Sequence, residues 1–214
     1  MAVATPALAQ EATPIFHPGA PGAPSRIISA DQAVELSRTT FIAADVAFMQ
    51  HMIVHHNQAV EMVALLDQHG SDPTVKLMGR RIAMTQEAEM AFMKEWLRMR
   101  NQPLEMQGMD HSGHGGMDHS AHAGHAMPLS ETPLMPGMLS PAAMQRLSMA
   151  RGAEFDRLFL EGMIQHHLGA LDMVSDLLAT PDAAQDPMLS DFTSSVVADQ
   201  SAEILRMQSL LSDL

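Results

Sequence analysis

The chain has 214 residues, 46% of them hydrophobic and only 4% aromatic, and carries a formal charge of −13 from 12 Lys plus Arg against 25 Asp plus Glu. That length supports one ordinary core or two small ones. The acidic balance disfavours nucleic acid and anionic membranes while attracting cations, and no run approaches the roughly 18 apolar residues of a membrane span.

Twenty-one Met and 12 His stand beside no Cys. This composition suits a chain that draws soft ligands from thioether sulfur where thiols would oxidise or pair. In chain order, residues 1–28 read first as a signal-peptide remnant and then as a linker. Ala7-Leu8-Ala9 is the small-x-small pattern cut by signal peptidases, which places cleavage near Ala9 and the protein in the periplasm or outside the cell. Pro14, Pro18, Pro21 and Pro24 among glycines predict an extended, mobile linker over 10–26.

Two copies of one helical unit follow, at 29–105 and 140–214. Sliding the chain by 111 residues lays Phe48-Met49-Gln50-His51-Met52-Ile53-Val54-His55-His56 over Phe159-Leu160-Glu161-Gly162-Met163-Ile164-Gln165-His166-His167. The register runs on through Ala59 over Ala170, Met62 over Met173 and Leu66 over Leu177, and back through Asp45 over Asp156 to Ser29 over Ser140. After turns at Gly70 to Pro73 and Pro181 to Pro187 the offset becomes 114, placing Gln86 over Gln200, Glu89 over Glu203 and Met93 over Met207.

Ser29 with Gln32 is a capping box, and Ser140-Pro141 is a serine cap with proline at the first helical position. Each unit is therefore a short leading helix and a helical hairpin, with main helices near 41–69, 74–100, 153–179 and 187–212. Two such hairpins make an all-α four-helix bundle. Between them, 106–139 is a loop whose stretch 106–127 holds five His, four Met and five Gly. Its repeated M-D-H-S-x-H unit has metal-binding composition, and a flexible conformation is expected in the absence of metal.

Thioether suits Cu(I) and imidazole serves both Cu(I) and Cu(II), so Met plus His without Cys points to copper ions, with silver as a chemical mimic. On a helix Met52, His55 and His56 stand at i, i+3 and i+4, and Met163, His166 and His167 repeat the arrangement. Adjacent histidines diverge by about 100°, so one of each pair can bind metal while the other meets a carboxylate such as Glu89 or Glu203. Asp45 and Asp156 are open between ligand, outer partner and ordinary polar contact.

Met90, Met93 and Met207 are the sulfur donors from the second helix of each hairpin, with Met49 and Met62 next. Methionines at helical spacing also fill core gaps, and core is the commoner role for any single one. From the loop, the candidates are Met109, His111, His114, Met117, His119, His122, His125 and Met127. His17, His51 and His69 lack repeat counterparts and read as surface residues.

The paired F-x-x-x-M-I-x-H-H-x-x-A blocks, each followed by Q-x-x-E and a downstream Met, resemble the domain of unknown function 305 family, and in particular its periplasmic copper-binding members. The resemblance covers nearly everything from Ser29 to Leu214 except the loop. It implies a ferritin-like bundle, copper binding or resistance in the bacterial periplasm, and Met52, His55, His56, Met163, His166 and His167 as ligands. His51 and Asn57-Gln58 in the first copy replace Gly162 and Leu168-Gly169, which implies unequal sites.

The expected function is sequestering or shuttling of copper, without catalysis, with metal ions and periplasmic copper-transport proteins as partners. Two alternatives stand beside it. A ferritin-like metal oxidase would need Glu-x-x-His pairs, which the sequence lacks. A helical protein-interaction scaffold would leave the His-His pairs unexplained.

Overall fold

The computed structural model describes residues 14–17, 24–37, 40–105 and 129–214. All eight loop candidates, from Met109 to Met127, and the expected cleavage point near Ala9 lie outside the described residues. Contacts divide the chain into two units, 1–40 and 41–214, so both hairpins belong to the second.

In the first unit, strand β1 (Ile15–His17) pairs antiparallel with β2 (Arg26–Ile28), setting Ile15 against Ile28 and His17 against Arg26. This corrects the reading of 10–26 as linker alone. Ile15, Phe16, Ile27 and Ile28 are strand-forming residues, and Pro18, Pro21 and Pro24 with the glycines fall between the two strands in sequence. Helix α1 (Ala30–Ser37) starts at the expected capping box: Gln32 N donates to Ser29 Oγ at 3.1 Å, and Ser29 N donates to Gln32 Oε1 at 3.0 Å.

The described residues of the second unit form five helices and their connections: α2 (Ala43–His69), α3 (Pro73–Met99), α4 (Pro141–Met149), α5 (Gly152–Ala179) and α6 (Pro187–Asp213). Proline at the first helical position, which needs no amide donor there, opens α3, α4 and α6. Asp72, Ser140 and Asp186 cap them through Val75 N, Ala143 N and Leu189 N. Helix α2 packs on α3, α5 on α6, and α2 on α5, so a hairpin pairs with its sister in the same chain.

Asp45 and Asp156, left open by the sequence, tie each copy to the turn of the other. Asp156 on α5 accepts Ser71 N at 3.0 Å, Ser71 Oγ at 2.6 Å and Asp72 N at 2.8 Å, all in the α2–α3 turn. Asp45 on α2 accepts Ala184 N at 2.8 Å in the α5–α6 turn and Ile42 N at 2.9 Å at its own helix start. Both carboxylates are fully buried and fully used by backbone and hydroxyl donors, which explains the conserved register as architecture.

The apolar interior forms two clusters in which the copies exchange parts. One joins Met52 and Met93 of the first copy to Met173 of the second; the other joins Met163 and Met207 of the second to Met62 of the first. Under the repeat register these two trios are equivalent, the signature of an approximate twofold between the copies.

The segment Met135–Leu139, assigned by sequence to the flexible loop, is instead fixed against α2 and α5. Gln58 brackets Leu139 with both amide atoms, Leu139 N to Oε1 at 2.7 Å and Nε2 to Leu139 O at 2.9 Å. A Cβ on Gly169 would stand 2.2 Å from Pro136 O. Gln58 and Gly169 are repeat equivalents, so this divergence between the copies makes room for the strap on one helix and hydrogen-bonds it from the other.

Candidate metal centre

Antiparallel packing within each hairpin decides what each histidine of the pair meets. His56 Nε2 lies 2.7 Å from Glu89 Oε2 across the α2–α3 interface, and His167 Nε2 lies 2.7 Å from Glu203 Oε2 across α5–α6. Both imidazoles are fully buried. The carboxylates accept, so Nε2 carries a proton in each ring; in the neutral imidazole the lone pair is then on Nδ1.

His55 and His166 point the other way, towards the junction of the copies. Their rings lie 3.8 Å apart between centroids, tilted by 39°. His166 Nε2 donates to His55 O at 2.9 Å, and His55 Nε2 donates to Pro136 O at 3.0 Å on the strap. A carbonyl only accepts, so these two are also Nε2–H tautomers. Burial, reinforced by neighbouring His56, pushes the His55 pKa down to about 3. Burial and then His55 hold His166 well below the ordinary histidine value. Both rings are therefore neutral at pH 7.

All four rings share one condition: Nδ1 is buried and has no hydrogen-bond partner. An orphaned buried acceptor costs the fold about 1–3 kcal/mol. Four in one pair of motifs suit an electron-pair acceptor, and a soft cation is such an acceptor.

Methionine sulfur is part of both apolar clusters. Met52, Met90 and Met93 share the first cluster, where Met52 and Met93 are fully buried and Met90 is 9% exposed. Met163 and Met207 are fully buried in the second. Among the described residues, no group of three His, Cys, Asp or Glu could hold a metal ion. Glu89 also lines an open groove of about 670 Å³ between α3 and α6, with Met84, Met188, Asp191, Asp199 and the stacked pair Phe92–Phe192. Of the histidines read as surface residues, His51 and His69 are partly exposed, His69 packing edge-on to Phe155.

Sequence reasoning overlooked the strap and a second buried polar node, in which Asp186 accepts from Trp96 Nε1 at 3.1 Å and from Arg100, whose guanidinium stacks 4.1 Å over the Trp96 ring. A lone Trp four residues before an Arg was the only signal for the latter.

Fold and site together define a class: a two-copy helical protein with a His–Glu pair in each copy and methionine-rich cores. The chain belongs to the DUF305 family, a domain of unknown function whose model matches residues 45–211. No curated protein matches it. Among solved structures, a DUF305 fragment from Deinococcus radiodurans is 28% identical with a TM-score of 0.64, covering 81% of this chain and 99% of its own. A DUF305 protein from Streptomyces coelicolor, described as secreted, is 25% identical with a TM-score of 0.63, covering 79% of this chain and 93% of its own. CopM in its Cu(II)-bound form is 28% identical with a TM-score of 0.56, covering 79% and 96%. CopM has also been solved with Ag bound, at 25% identity and a TM-score of 0.53. No helix among the described residues is long and apolar enough to cross a membrane.

Proposed function

We propose that this protein binds copper ions, as Cu(I) and also Cu(II), and sequesters or shuttles them in the bacterial periplasm without catalysing a reaction on them. One observation carries the reading. In each copy a fully buried imidazole is held at Nε2 by a glutamate at 2.7 Å while its Nδ1 is left unpartnered. A carboxylate on the far nitrogen orients an imidazole and raises its basicity as a metal ligand.

His56 and His167 are the leading nitrogen donors in this reading, with His55 and His166 adjoining them. Met52, Met90 and Met93 supply sulfur in the first copy, and Met163 and Met207 in the second. The tract from Met109 to Met127 collects ions, and the helical sites hold or pass them on to copper-transport partners. The finer architecture we infer is a ferritin-like four-helix bundle, supported by the packing of α2 on α5 between the hairpins. The binding of Cu(II) and Ag by CopM supports the choice of metal, and the secreted relative supports export.

Anaerobic titration with Cu(I) against a competing chelator tests this in three forms of the chain: wild type, a deletion of 106–127, and the fourfold variant His55/His56/His166/His167→Ala. Wild type is expected to take up more than one ion tightly, and the deletion to retain the ions held by the helices. The fourfold variant should lose those ions. Failure of wild type to outcompete a weak chelator overturns the reading.

A further inference from the structure

Seven buried side-chain atoms among the described residues lack a hydrogen-bond partner. Four are the imidazole Nδ1 atoms; the others are Gln86 Oε1 and both Oε1 and Nε2 of Gln200. The two glutamines are repeat equivalents, 1% and 2% exposed. Buried amides are normally hydrogen-bonded, and the other buried glutamines among the described residues are. Gln58 uses both amide atoms on Leu139, and Gln50 Nε2 donates to Pro103 O at 2.7 Å.

Position explains why these two differ. Gln86 and Gln200 precede Glu89 and Glu203 by three residues, so each shares the helix face that reaches the histidine. Pairing of His56 with Glu89, and contact of Leu66 with Gly79, fix the antiparallel register of α2 on α3. In that register Ala59 falls opposite Gln86; by the same offset Ala170 falls opposite Gln200. Both alanines are fully buried. A methyl group on the facing helix leaves the amide room without offering it a partner.

We infer that Gln86 and Gln200 are oxygen donors to the bound ion, one in each copy, and that they make the buried sites competent for Cu(II). This rests on the copper-binding reading above. Thioether and imidazole satisfy Cu(I), whereas Cu(II) takes more ligands and favours nitrogen and oxygen. A neutral amide oxygen adds such a donor without a further buried charge. Coordination is by a lone pair on Oε1; no covalent bond breaks and no electron is transferred.

The test uses the full-length chain with His111, His114, His119, His122 and His125 replaced by Ser, so that the buried sites report alone. Into this background are placed Gln86→Leu/Gln200→Leu, Gln86→Glu/Gln200→Glu, or His56→Ala/His167→Ala. Cu(II) and Ag(I) affinities are measured by competition, and the Cu(II) forms by electron paramagnetic resonance. The Leu variant is expected to lose at least tenfold in Cu(II) affinity while holding Ag(I) within twofold. The Glu variant is expected to restore Cu(II) binding with an altered spectrum.

Equal losses for both ions in the Leu variant, or no loss for either, overturn the inference, as does a Glu variant with an unchanged spectrum. The last measurement decides the matter even where the Leu variant fails to fold. If the His variant loses binding while the Leu variant keeps it, the glutamine inference falls and the copper reading stands. If the background protein binds neither ion, the reading of the buried sites as copper sites falls, and with it this inference.

Discussion

Nitrogen by nitrogen, the four imidazoles divide their work: Nε2 holds the ring to the protein and Nδ1 is kept free. Removing the holder is therefore more damaging than its distance from the ion suggests. Glu89→Leu leaves the His56 Nε2–H buried without an acceptor, and is expected to destabilise the fold by about 1–3 kcal/mol. It should also weaken metal binding about ten- to a hundredfold by freeing the ring. Urea unfolding followed by the single tryptophan, the fully buried Trp96, and metal competition check the two effects.

His55 sets a pH dependence in the apoprotein. Its folded-state pKa is about 3, against 6.5 for the free side chain. Its contribution is complete above about pH 6.5 and is lost as pH falls, because the unfolded chain takes up a proton that the folded ring refuses. The expected slope is at most about 1.4 kcal/mol per pH unit for this histidine, with His166 acting in the same direction. Urea midpoints at pH 7.5, 5.5 and 4.5 should decline in order; a flat series contradicts this. The pairing of one histidine with glutamate was legible in the sequence, because Q-x-x-E follows each His-His across the hairpin turn. Which histidine paired was not, since adjacent positions on a helix can each become the outer one depending on the partner helix.

Between elements, the carboxylates Asp45 and Asp156 act as clasps. Asp156→Ala removes the acceptor for Ser71 N, Ser71 Oγ and Asp72 N, and is expected to cost about 2–3 kcal/mol while leaving copper stoichiometry unchanged. A loss of bound copper without a loss of stability would instead make Asp156 a ligand. Gly169→Ala would force a methyl group onto Pro136 O, and should displace the strap at a cost of about 1–3 kcal/mol. Helix ends were legible because Asp-Pro and Ser-Pro mark them directly, and α2, α3, α5 and α6 begin and end close to their expected limits. The strap was not, because Met135–Leu139 has no periodicity of its own and owes its order to Gln58 and Gly169 on other elements.

Across the molecule, the repeat has a consequence that neither copy shows alone. Each methionine trio takes two members from one copy and one from the other, and His55 meets His166 at the junction. A single hairpin would therefore expose half of each site. The internal repeat was visible from the register of Ser29 to Leu66 on Ser140 to Leu177, but the exchange of parts was not, since it depends on how α2 crosses α5. The central claim is that buried histidines offer Nδ1 to a soft ion. Long-range proton–nitrogen correlation spectra of the ¹⁵N-labelled chain, recorded apo and with Ag(I), test it most directly. The account predicts Nε2–H tautomers for His55, His56, His166 and His167, and on adding Ag(I) a shift of the unprotonated Nδ1 of His56 and His167 with Nε2 still protonated. Protonated Nδ1 in the apoprotein, or Ag(I) shifts confined to the histidines between His111 and His125, would contradict it.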